Sequence, residues 1–131
     1  MGNIIRLNES AANNEWLVMS NQGTDCFLDL LVSAADSMEK TVNQEGLVSF
    51  LKDRKDINDI APGTAGFDIV EMPWHSETLK EDVSFLIGLT EKAGSESYFE
   101  KLPYDADKGI VLPWLKQFAM LVGQIVAGSE R

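Results

Sequence analysis

Apolar residues recur along this chain mainly at helical spacing. Phe27, Leu30, Leu31, Ala34 and Met38 stand at i, i+3, i+4, i+7 and i+11, the stripe of an amphipathic helix over about 24–39. Thr24 is expected to cap it, because a threonine hydroxyl accepts one of the orphan backbone N–H groups of a first turn. Asp25 then sits where the helix dipole favours negative charge, and Cys26 and Asp29 flank the stripe. Leu47, Val48, Phe50 and Leu51 predict a second helix over about 44–55, capped by Asn43 and ending in the charged run Lys52-Asp53-Arg54-Lys55. Leu79, Val83, Leu86, Ile87, Thr90 and Ala93 predict a third over about 77–93, closed by Gly94. Thr78 and Glu81 have capping-box spacing there, and Gly88 inside the pattern is expected to mark the close approach of another helix. Tyr98, Phe99 and Leu102 predict a short buried turn of helix ended by Pro103. Trp114, Leu115, Phe118, Leu121, Val122 and Ile125 predict the last helix, over about 113–127. Pro113 stands in its first turn, or at a kink if residues 107–112 add an earlier turn.

The pattern weakens in three places. Residues 3–7 fit an extended start or a single helical turn. Ala12, Trp16 and Met19 at i, i+4 and i+7 favour a helix over 9–20, with a short strand at 16–19 as the alternative and Asn21-Gln22-Gly23 as a turn after it. Residues 56–66 make a long connection with a Pro62-Gly63 turn, in which Ile57 and Ile60 are expected to pin the backbone to the core. The fold class that follows is mostly α: one domain over 1–131, a compact bundle of four to six helices. The alternative is α+β, with short strands near 3–7 and 67–71.

The segment Gly66 to Ser76 joins the two halves of this pattern. Phe67 and Ile69 are expected to anchor it, Pro73 to redirect it, and Trp74 to staple it onto the helix that follows. It holds the only histidine, His75.

Charge changes the picture of what such a fold is for. Among 131 residues, 11 are basic and 21 acidic, for a formal net charge of −10. That opposes nucleic acid, whose phosphates demand a basic footprint, and anionic membranes for the same reason. It suits a basic protein partner, since complementary fields speed encounter and reject wrong partners. The first residues lack the basic flank and apolar core of a secretory signal, and the lone Cys26 fits a reducing compartment, so a cytoplasmic location is expected. No apolar run is expected to approach the roughly eighteen residues of a membrane span.

The motifs for chemistry are sparse. One histidine and one cysteine do not make a zinc site of the common nitrogen–sulfur types, and Asp56, Asn58 and Asp59 lack the glycine and terminal glutamate of a calcium loop. No phosphate-binding glycine motif occurs, so no metal and no cofactor is expected. The sharpest catalytic alternative is a small enzyme or ligand binder near Cys26 and His75, with Asp68 as orienter; nothing in the sequence places these residues together. The favoured expectation is a non-catalytic acidic domain that binds a protein, of the immunity or inhibitor type. Glu71, Trp74, His75, Glu77, Glu81 and Asp82 are its expected partner-binding residues. A structural or oligomeric component is the third alternative.

Overall fold

The structure, a computed structural model, describes residues 2–12, 15–100, 102 and 108–129. Two strands come first, β1 (Asn3–Arg6) and β2 (Leu17–Met19), followed by the helices α1 (Asn21–Asp36) and α2 (Val42–Ile60). A third strand, β3 (Phe67–Asp68), leads through two short 3-10 turns into α3 (Leu79–Ala93), α4 (Glu96–Glu100) and α5 (Lys108–Ser129). Among the described residues the fold is mostly helical, with five helices and a small three-stranded sheet.

In the sheet β1 lies between β2, antiparallel to it, and β3, parallel to it. Alternation along β1 and β2 turns Asn3, Ile5, Leu17 and Met19 inward and leaves Ile4 and Val18 outside as cross-strand neighbours. Gly66, just before β3, is glycine for a steric reason: a Cβ there would lie 2.4 Å from the Ile4 carbonyl oxygen. The strand at 17–19 corrects the helix favoured over 9–20. A three-residue strand is stabilised by its neighbour's ladder, and the spacing of Trp16 and Met19 carries no record of that neighbour.

Helix α1 is the hub, touching the other four helices. Its cap is Ser20, whose hydroxyl accepts the Gly23 N–H at 2.9 Å, so Asn21-Gln22-Gly23 is helix and not a turn. Thr24, expected as the cap, lies one turn in and bonds back to the Ser20 carbonyl. The ion pairs Lys52–Asp36 and Lys55–Asp29 show that α1 and α2 run antiparallel. Phe27 meets Phe118 edge to face at 5.4 Å, and Gly23 lies against the Trp114 ring, so α1 and α5 run parallel. Leu112 beside Gly94 and Ile87 beside Gly123 set α3 and α5 antiparallel.

Helix α2 also departs from expectation. Thr41 caps it in a reciprocal capping box with Gln44, and it continues to Ile60, so the connection shrinks to 61–66. Ile60 does not pin anything: it is 84% exposed. The buried Asn58 ties this end down instead, donating to the Asn21 carbonyl and accepting from Asn3. Gly88 meets no neighbour, so it marks no close approach. Pro113 lies inside α5, which starts at Lys108. Among the described residues Lys108–Ala127 is long and apolar enough to cross a membrane, by length and composition only. Its Val111, Leu115, Phe118, Leu121 and Val122 are buried in the core.

Candidate functional site

The joint between the halves folds as the anchors demand. Phe67, Ile69 and Met72 are buried, and the Arg54 guanidinium lies over the rings of Phe50 and Phe67 while donating to the Gly66 carbonyl. The 3-10 turn Ile69–Glu71 is closed by the Met72 N–H, and the Trp74 indole N–H reaches back to the Ile69 carbonyl at 2.8 Å. Trp74 is thus half-buried and bonded at both its backbone and its ring, and both bonds run back to the preceding turn rather than to the helix that follows, onto which the sequence suggested a staple. Glu71, Pro73, His75, Ser76 and Glu77 point outward, as does Glu81 one turn into α3.

Asp82 does not belong to this exposed face. It is 1% exposed, and its carboxylate accepts from the Thr78 hydroxyl at 2.7 Å and the Gln44 amide at 3.3 Å. Asn43 in turn donates to Thr78. These four side chains clamp the start of α2 to the start of α3, where two helix dipoles favour a negative group. The expected Thr78–Glu81 capping box is absent because the Thr78 hydroxyl is spent on Asp82. Sequence spacing placed Glu81 and Asp82 together; a rotation of one residue, about 100° on a helix, decides that one is solvated and the other buried.

The three residues of the catalytic alternative occupy three different settings. Cys26 is enclosed in the core at 4% exposure, His75 stands in the open, and Asp68 is the partner of Arg6. Among the described residues no cluster of histidine, cysteine, aspartate and glutamate suits a metal ion.

Two charged constellations went unread in the sequence. The first is on the outer face of the sheet. Arg6 donates to Asp68 at 2.6 Å and 3.5 Å across the parallel pair and lies over the Trp16 ring at 5.7 Å. The hydrogen bond to Asp68 comes first, and the charges of Asp68, Glu9 and Glu71 add to it, in holding the Arg6 guanidinium above its ordinary pKa. The alternation Asn3-Ile4-Ile5-Arg6 carries the available signal: two adjacent isoleucines on a strand place one of them outside.

The second is the seam between α1 and α2, where Lys55 lies 3.8, 3.4 and 3.6 Å from Asp25, Asp29 and Asp59. Burial, a hydrogen bond shared with Asp59 and the neighbouring carboxylates raise the Asp25 pKa, against the opposing pull of Lys55. One of its oxygens, Oδ1, is buried without a hydrogen bond. A raised carboxyl pKa favours the fold below the unfolded value and loses that contribution as pH rises through the folded one. Ionised Asp25 therefore costs stability at neutral pH. Asp25→Asn is expected to raise the urea midpoint at pH 7 by an amount equivalent to about 0.2–1 kcal/mol, the scale of partly exposed charges, with the gain vanishing as pH falls towards 4. A lower midpoint at pH 7 would show that the attraction to Lys55 outweighs the burial of the carboxylate.

Comparison with protein-family models, curated proteins and solved structures finds no match for this chain.

Proposed function

We propose that this chain is a non-catalytic acidic protein-binding domain of the immunity or inhibitor type, which neutralises a basic partner in the cytoplasm. The observation that carries the reading is the division of the joint into an inner and an outer side. Ile69, Met72 and Trp74 face inward and hold the backbone through two hydrogen bonds of the tryptophan. Glu71, His75, Glu77 and Glu81 face outward from that fixed backbone. Acids presented on an ordered turn lose little entropy on binding, so their attraction for a cation is not offset by the cost of ordering a loop. The chain's charge of −10 extends the same field over the rest of the surface. Such fields raise association rates from roughly 10⁵–10⁶ towards 10⁸ M⁻¹s⁻¹ at low salt.

The test begins with the immobilised chain capturing a partner from its source lysate, which is then purified. Its association rate is measured at about 0.05 and 0.5 M salt, a range over which screening is strong. Replacing Glu71, Glu77 and Glu81 together by lysine is expected to slow association by at least about tenfold and to weaken its salt dependence. All three are exposed, so the helix content and melting temperature of the variant should stay near those of the parent. An acidic partner, or a rate unchanged by the triple reversal, would remove the basis of the proposal.

A further inference from the structure

The outer face of the sheet continues the acidic joint and adds a pair of exposed apolar side chains to the exposed Val70 of the joint. Ile4 and Val18 are cross-strand neighbours on this face and are 38% and 58% exposed. Beside them run Trp16, Arg6 and Asp68, in contact from one to the next. Arg6 offers little free positive charge here, because Asp68 holds it at 2.6 Å and Glu9 and Glu71 act on it from further out. What faces solvent is a small apolar centre with an aromatic flank and a rim on which carboxylates outnumber the one arginine. Among the described residues no helix closes over it: α1 covers the opposite face, where Leu17 and Met19 are buried.

We infer that the sheet face centred on Ile4 and Val18 is the anchoring half of the partner site, receiving a basic protein segment that carries an apolar side chain between its cations. The inference rests on the acidic-partner reading and specifies its occupant. Charge complementarity selects that occupant. A second copy of the chain would bring two bodies of charge −10 together, and a purely cationic segment would leave Ile4 and Val18 wet. The arrangement of apolar centre and charged rim is that of energetically dominant patches at interfaces, where the centre supplies affinity and the rim supplies rate.

Two synthetic peptides of equal positive charge test it. In one, lysine and arginine alternate with leucine and phenylalanine; in the other, glycine and serine replace the apolar residues. Both are titrated into the isotope-labelled chain and followed by NMR. The apolar-containing peptide is expected to shift the Ile4 and Val18 amides and the Trp16 indole, and to bind at least about tenfold tighter than its polar counterpart. Val18→Lys should weaken that binding about tenfold or more, as should the gentler Ile4→Thr to a smaller extent, while Glu39→Lys, at an exposed position beyond the end of α1, leaves the Ile4 and Val18 shifts in place. Shifts confined to residues 75–81 and equal for both peptides would overturn this inference and leave the acidic-partner reading standing. No binding of either peptide would overturn both. Shifts of Ile4 and Val18 with protein concentration alone would show that a second copy covers the face, and would also overturn it.

Discussion

Phe118→Ala is expected to lower the stability of this protein by about 3–5 kcal/mol. Phe118 is fully enclosed, with its ring edge-on to Phe27 of the hub helix at 5.4 Å. It is the point at which α5 is fastened to α1, one turn along from the contact of Trp114 with Gly23. Truncation removes the transfer free energy of the ring, its edge-to-face contact, and the packing of the residues left around the void. The neighbours on α5, Leu115, Leu121 and Val122, are themselves buried and held in a helix, so collapse into the space is restricted. Urea denaturation read by circular dichroism measures the loss. Phe118→Leu, which fills much of the volume, should cost well under half as much. A loss below about 1 kcal/mol for the alanine variant would mean that α5 is not seated on α1 at this position.

The second large effect is polar. Asn3→Ala is expected to cost about 2–4 kcal/mol, although it removes few atoms. Asn3 is 2% exposed and joins four segments. Its amide donates to Thr24 of α1 and Asn58 of α2, both at 2.9 Å, and its carbonyl oxygen accepts the Ala65 N–H at 2.8 Å. Alanine would leave that N–H and the Asn58 oxygen buried without partners, and each such group costs about 1–3 kcal/mol. Asn3→Asp separates the contributions, since it keeps an acceptor for Ala65 and loses both donors. Hydrogen exchange at the Ala65 amide should accelerate strongly in Asn3→Ala and less in Asn3→Asp. The double variant Asn3→Ala/Asn58→Ala should cost less than the sum of the single ones, because the two share a bond. Additive losses would show that the two asparagines do not act as one network.

These two positions also mark how far the linear pattern reaches. Phe118 stands in a stripe at i, i+4, i+7 and i+8 with its neighbours, and its burial was legible from spacing. Asn3 gave no such signal: an asparagine near a chain's start reads as solvated until its partners, 21, 55 and 62 positions away, are brought beside it. The same contrast runs through the candidate site. The anchoring of Phe67 and Ile69 and the exposure of Glu71, Glu77 and Glu81 follow from residue type and local order. The burial of Asp82 depends on Gln44, 38 positions away, and the pairing of Arg6 with Asp68 spans 62 positions.

The sequence by itself determined the helical class, the apolar faces of α1, α3 and α5, the stop at Gly94 and the acidic surplus. Each of these is either a total or a periodicity within a few turns, and a helix makes its backbone bonds with its own near neighbours. The tertiary structure alone decided that 17–19 is a strand, that Asp82 is a clamp and that Ile4 and Val18 share an open face. A strand's bonds, a buried carboxylate's donors and the boundary of a surface patch all belong to residues far apart in the chain, so no local pattern records them.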